Sequence, residues 1–177
     1  MAATTPRIQT DRLELVPLSP NDVKEMVGVL ADPDLYTFIG GGPPALGALT
    51  VQYDTWMAGS PKAGDTWHNW VIRLRDGGAA VGHLQATVTE ANSTAPATAN
   101  IAWVVGTAWQ GRGYATEAAA ALVDWLETCG LEVITAHVNP DNVASARVAE
   151  RAGLTATDEL VDGEIVWRRE RHTAGDA

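Results

Sequence analysis

Apolar positions along the chain fall into short alternating runs and longer stretches of helical period, separated by glycine and proline. Residues 8–16 set Leu13 and Leu15 against Arg12 and Glu14, the alternation of a half-buried strand. Ser19-Pro20-Asn21-Asp22 marks a helix start, with Ser19 as N-cap, Pro20 at the first helical position and an acid in the first turn. That helix is expected to run to about Ala31, ahead of Pro33. A Gly-Gly-Gly-Pro-Pro loop at 40–44 precedes a predicted helix over 46–57 and a further loop over 58–65. Residues 67–75 and 80–89 read as a hairpin about Asp76-Gly77-Gly78, and 100–105 as the next strand. A helix from Gly113 to Cys129 closes at Gly130. A β-branched strand follows over 132–138, then a helix over 143–152 that Gly153 ends. Strands at 154–161 and 164–169 meet at Asp162-Gly163, a two-residue hairpin signal, and the tail from Arg171 reads as frayed. The order β-α-α-β-β-β-α-β-α-β-β predicts an α/β (α+β) fold. Its mixed, mostly antiparallel sheet has about seven strands, flanked by about four helices.

Composition narrows the setting. With 177 residues and neither repeats nor a long linker, one domain over 1–177 is expected, its core at about 8–170. No apolar run approaches the roughly 20 residues of a membrane span, and the first residues lack a signal-peptide core, so no membrane partner is expected. The single cysteine, Cys129, excludes an internal disulfide framework and fits a cytoplasmic location; its place near a helix end predicts a buried, inert thiol. A net charge of −10 argues against a nucleic-acid partner and favours a cationic ligand such as an amine. Seven Trp against one Phe predict core packing or a homodimer contact, with the remainder lining a pocket.

The chemistry concentrates after the run Ile101-Ala102-Trp103-Val104-Val105, where Trp109-Gln110-Gly111-Arg112-Gly113-Tyr114-Ala115-Thr116-Glu117-Ala118 opens a helix. A strand that enters a Gly-x-Gly turn and leaves as a helix aims backbone N–H groups and the positive helix end at one spot, which suits a diphosphate. A dinucleotide fingerprint would place glycine where Thr116 stands, and a Walker loop would need Gly-Lys-Ser/Thr, which is absent. Residue types alone leave a diphosphate cradle and a purely structural turn both open.

Gln110-Gly111-Arg112-Gly113-Tyr114-Ala115 resembles the acyl-CoA pyrophosphate loop of the GNAT N-acetyltransferases. The longer string resembles the branch holding the ribosomal-protein N-terminal and many small-amine acetyltransferases. Thr10-Asp11-Arg12-Leu13-Glu14-Leu15 is similar to that branch's opening strand, and Asn139-Pro140-Asp141-Asn142-Val143-Ala144-Ser145-Ala146-Arg147-Val148 to its second CoA-facing motif. Ala152-Gly153-Leu154 is similar to the exit from the helix that follows. The resemblance implies direct acetyl transfer from acetyl-CoA, without a metal, to a primary amine of a small molecule or a peptide N-terminus. It also admits a catalytically weak CoA-binding sensor or scaffold, or a succinyl or longer-chain transferase.

Carried onto this chain, the resemblance gives the diphosphate to the N–H groups of Gln110, Gly111, Arg112, Gly113, Tyr114 and Ala115, with the Arg112 and Thr116 side chains as further contacts. It has the strand at 100–105 splay from its neighbour so that backbone at Trp103, Val104 and Val105 holds pantetheine and the carbonyl. It sets Asn142 on the pantetheine arm and Ser145 near the sulfur. Many members carry a tyrosine acid where Ala149 stands, so Ser145 or water becomes the thiolate's donor. Members often carry glutamate at the head of the central strand, where this chain has Ala99-Asn100; Asn100 could orient a water. His83, on the strand expected beside Asn100, is the candidate base because its side chain titrates near neutrality, ahead of Glu90 and His137, with a water chain leading from the site as the alternative. Glu117 is read as supporting the loop. The acceptor pocket is expected from residues 36–42, 56–70 and the final hairpin.

Overall fold

The computed structural model describes residues 4–170; the predicted frayed tail from Arg171 lies outside them. Eight strands form one sheet in the order β1-β2-β3-β4-β5-β6-β8-β7. They are β1 (Ile8–Gln9), β2 (Leu13–Pro17), β3 (Asp65–Leu74), β4 (Ala80–Thr89), β5 (Thr98–Val105), β6 (Val133–Val138), β7 (Thr155–Val161) and β8 (Glu164–Glu170). The helices are α1 (Val23–Val29), α2 (Leu46–Ala58), α3 (Tyr114–Thr128) and α4 (Val143–Arg151). Every strand pairing is antiparallel except β5 with β6.

The predicted first strand is instead a small hairpin, with Ile8 opposite Leu15 and Gln9 opposite Glu14. Thr10 makes the turn. Its hydroxyl accepts from the Leu13 N–H at 2.9 Å, and its own N–H donates to the Leu13 carbonyl at 2.9 Å. Both arms keep period two, so the alternation hid the reversal. The predicted helix after Ser19 starts as a 3-10 turn, Pro20–Asp22. Ser19 accepts from the Asn21 N–H, while the Asp22 carboxylate accepts from the Ser19 N–H, a reciprocal cap.

The sheet separates two apolar layers. On one face α1 and α2 bury Met26, Val29, Leu49 and Tyr53 against Val71 and Ala80. On the other, α3 and α4 cover Leu13, Leu15, Trp70, Leu84, Ile101 and Ile134. Ala118 and Ala119 are fully buried, and their small size lets the α3 backbone lie close to β5.

Both helices of the second layer end alike. Past α3, the Gly130 N–H bonds the Glu127 carbonyl and the Leu131 N–H bonds that of Leu126. Past α4, Gly153 and Leu154 do the same to Glu150 and Ala149. The two glycines have φ of 83° and 88°, and buried Leu131 and Leu154 seal each end against the core. Cys129 is the C-cap of α3 and is exposed, which corrects the expected buried thiol: Leu126 and Leu131 fill the core at this helix end, and Cys129 lies outside them. Among the described residues, no helix is long and apolar enough to cross a membrane.

Candidate active site

The loop between β5 and α3 is held from outside. Glu117 accepts from the Thr10 hydroxyl (2.6 Å), the Arg12 N–H (2.9 Å) and Arg12 Nε (2.7 Å). Arg12 Nη1 donates to the Arg112 carbonyl (3.0 Å), and its guanidinium lies 4.8 Å from the centre of the Tyr114 ring. Burial acts to raise the Glu117 pKa, but these hydrogen bonds and the Arg12 charge outweigh it and hold the carboxyl below its ordinary 4.5. Glu117 supports the loop, as read from the sequence.

Within the loop, Gly111 and Gly113 have φ of 73° and 81°, which reverses the chain and turns successive N–H groups outward. No acceptor among the described residues takes the N–H groups of Gly111 through Thr116. Gln110 departs from expectation: its N–H bonds the Thr107 carbonyl (3.2 Å), and its side chain donates to the Val105 carbonyl (3.0 Å). The Arg112 side chain does not line the cavity over this loop. That cavity, about 410 Å³, gains its cations from Arg147 and Arg151 on α4.

β5 and β6 pair only from Thr98 opposite Val133 to Asn100 opposite Thr135, then diverge. The Gly106 N–H bonds the Val81 carbonyl, which fixes the phase of the β4–β5 ladder. Alternation then turns the backbone groups of Val104 and Ala102 toward β4, and those of Ile101, Trp103 and Val105 into the gap. A side chain at Gly82 would collide with the Val104 carbonyl, so the close approach of β4 and β5 here needs glycine. The expected open edge therefore belongs to Trp103 and Val105; Val104 contributes its side chain to the cavity walls.

Two cavities meet at this gap. The one over the loop adjoins a second of about 450 Å³, and both are lined by Phe38, Ile39, Trp103, Val104, Asn142 and Ser145. Phe38 and Ile39 follow a 3-10 turn capped by Asp32, whose other carboxylate oxygen accepts from Thr107 (2.6 Å) after β5. At the start of α4, Asn142 Oδ1 caps the Ser145 N–H at 3.1 Å, so the bland capping role is real. Both side chains still border the two cavities. Ala149 is fully buried and lines neither, so no donor stands at that position.

His83 lines the second cavity beneath Trp56, the ring centroids 5.7 Å apart. Burial pushes its pKa down to about 4, so the ring is neutral at pH 7. This undercuts the near-neutral titration for which it was singled out. Its Nδ1 has no partner among the described residues. His137 and Glu164 also border the cavity, whereas Glu90 lies in the turn after β4 and borders neither. Asn100 is not there. It donates to Thr135 Oγ1 (3.1 Å) and faces a third cavity of about 200 Å³ beyond Trp56 and Gln85. More Trp residues line cavities than expected: Trp70 and Trp125 pack edge to face in the core and Trp167 against it, while Trp56, Trp67, Trp103 and Trp109 line cavities.

A split parallel strand pair beside a loop of free N–H groups defines an acyl-CoA-dependent N-acetyltransferase by class. The acetyltransferase (GNAT) domain family matches residues 12–155, and the chain belongs to that family. An acetyltransferase from Agrobacterium tumefaciens is 30% identical over 97% of this chain and 98% of its own, with a TM-score of 0.72. The aminoglycoside acetyltransferase AAC(6')-Ib, solved with paromomycin and acetyl-CoA, shares the fold at 20% identity over 94% and 100% of the two chains, TM-score 0.75. So does RimL, the ribosomal L7/L12 alpha-N-protein acetyltransferase solved with coenzyme A, at 17% identity over 93% and 98%, TM-score 0.74. No curated protein matches the chain.

Proposed function

We propose that this chain transfers the acetyl group of acetyl-CoA to a primary amine of a small molecule or a peptide N-terminus. The meeting of two cavities at the unpaired edge of β5 carries the reading, because it gives donor and acceptor separate approaches to one point. The N–H groups of Gly111 through Thr116 would take the diphosphate, with Arg147 and Arg151 supplying local positive charge on a chain whose net charge is −10. Asn142 and the free edge at Trp103 and Val105 would align the pantetheine arm. A β5 N–H in the gap would take the carbonyl oxygen as its charge grows.

Transfer requires the amine nitrogen to attack the thioester carbon. The C–N bond forms, the C–S bond breaks, and the amine's surplus proton passes to water. The thiolate takes a proton from water or through the Ser145 hydroxyl. His83 borders the acceptor cavity and is neutral at pH 7, so it does not repel a protonated amine that enters there. With no acceptor in place, Asn100 fits a role in ordering water in the third cavity. The likeness to the ribosomal-protein and small-amine branch rests on the motifs around residues 10–15, 109–118 and 139–148.

Calorimetry with acetyl-CoA, followed by a free-thiol turnover assay over an amine panel, tests the proposal. Acetyl-CoA should bind and be turned over. Gly113→Val should abolish binding while leaving a folded circular-dichroism spectrum, because a β-branched residue resists φ near 81° and would disorder the cradle. Retained affinity in that variant would remove the loop from the site.

A further inference from the structure

The acceptor side of the site carries very little charge. Among the residues lining the 450 Å³ cavity, Glu164 is the only carboxylate, and no lysine or arginine is present. Its walls are mostly apolar or aromatic, from Tyr36, Phe38, Ile39, Trp56 and Trp103. A ligand with several ammonium groups would leave all but one of them unpaired against these walls, a costly arrangement. A single amine meets no such cost, and the acidic chain draws it in.

The third cavity adds a second criterion. It shares Trp56, Gln85 and Ala102 with the acceptor cavity, so the two are adjacent along β5. Its lining holds no charged side chain but three amides, Asn69, Gln85 and Asn100. Gln85 Nε2 donates to Asn69 Oδ1 at 2.7 Å, and Asn100 Nδ2 donates to Thr135. These bonds leave the Asn69 amide hydrogens as donors, and Gln85 Oε1 and Asn100 Oδ1 as acceptors. Asn69 is only 8% exposed, so an uncharged polar group entering there would find partners already desolvated. Trp103, at the gap, and Asn100 are three residues apart on one strand, roughly 10 Å at about 3.3 Å per residue.

Resting on the proposed transferase reading, we infer that the acceptor is an elongated monoamine. Its amine sits at the gap and its apolar or aromatic middle lies against Trp56. Its uncharged hydrogen-bonding head is held by Asn69, Gln85 and Asn100. Trp56 and Asn69 are then specificity-determining residues that the sequence motifs do not mark. Polycations are disfavoured by the single carboxylate, and a peptide N-terminus by its C-terminal carboxylate or further chain, which the small amide-lined third cavity has no cation to pair with and no room to hold.

The test compares kcat/KM for tyramine, phenethylamine, spermidine, kanamycin and a Ser-Ile-Thr peptide, with acetyl-CoA binding measured separately. Tyramine should exceed spermidine, kanamycin and the peptide about tenfold or more, and should exceed phenethylamine, which lacks the head group. Asn69→Leu should drive the tyramine-to-phenethylamine ratio toward one, a ratio that loss of folded protein cannot imitate. Gln85→Leu should do the same if Asn69→Leu fails to fold. Polycations or peptide matching tyramine, or an unchanged ratio in both variants, would overturn the inference. Acetyl-CoA binding without turnover of either arylalkylamine would overturn it while the donor site stands. Absence of acetyl-CoA binding would instead overturn the transferase reading beneath it.

Discussion

Glu117 joins the first hairpin to the Gly-x-Gly loop, so its removal should damage stability and donor binding together. Glu117→Ala deletes the acceptor of the Thr10 hydroxyl, the Arg12 N–H and the Arg12 guanidinium. The Arg12 side chain is 50% exposed against 18% for Glu117, so the ion pair itself deserves only about 1 kcal/mol. The two remaining bonds contribute about 1 kcal/mol each, and the total loss should be about 3 kcal/mol. For a domain of this size that lowers Tm by about 6–12 °C. Arg12 would also release the Arg112 carbonyl, loosening the cradle; a tenfold rise in the acetyl-CoA Kd, equal to about 1.4 kcal/mol, is expected. The pH dependence has a definite sign. The folded pKa lies below the ordinary 4.5, so Glu117's contribution is complete above pH 4.5 and is lost as pH falls through the depressed value. The Tm gap between wild type and variant should therefore be flat near neutrality and close in acid. Differential scanning calorimetry and acetyl-CoA titration check this directly. A Tm within about 2 °C of wild type at pH 7 with unchanged affinity would refute the clamp.

Ser145→Ala should lower kcat more than acetyl-CoA affinity, since the Asn142 cap is made to the Ser145 backbone and survives the change; an unaltered kcat in steady-state assays would restrict Ser145 to the helix start. His83 makes a pH prediction of its own. Burial favours its neutral form in the folded state, while in the unfolded chain it protonates below about 6.5, so stability present above pH 6.5 erodes toward pH 4. His83→Gln should flatten that part of the stability curve, measured by denaturant unfolding. It should also leave the kcat/KM profile between pH 6 and 8 without a lost ionisation. A missing ionisation near neutrality in the variant would restore His83 as the titrating base.

What the sequence disclosed about this site divides along a physical line. A cradle made of backbone N–H groups needs glycine at positive φ, so Gly111 and Gly113 advertise it in their identity alone. Gly130 and Gly153 mark two helix ends for the same reason, as do Asp162 and Gly163 at φ 51° and 84° in the last hairpin turn. Asn142 at a helix start is a local signal too, because its cap closes within three residues. Side chains are legible only as far as local period fixes their direction. Arg112 sits inside the motif yet contributes its carbonyl to Arg12, whereas Arg147 and Arg151, one turn apart on α4, turn their charge toward the loop. The choice depends on how α4 docks against α3, a long-range contact with no local signature.

The same reasoning explains why the donor site is legible residue by residue, whereas the acceptor cavity is legible only as segments, 36–42, 56–70 and the final hairpin. The proposed donor grip uses mainly groups that every residue possesses, so chain direction determines the fit. The cavities proposed for the acceptor are lined by Trp56 from α2, Asn69 from β3, Gln85 from β4 and Asn100 from β5, elements that come together only across the sheet. Asn100 shows the consequence. Viewed along the chain it stands where a base would be missed. In the fold it faces a recess with Asn69 and Gln85, where an amide offers what a carboxylate cannot: a donor and an acceptor without charge. A glutamate there would leave a carboxylate among neutral amides in a recess lined by Trp56 and Trp67, with no arginine or lysine to pair with it. Asn100 thus fits a recess that selects an uncharged group, and the absence of glutamate at that position is coherent with its neighbours rather than a defect in the site.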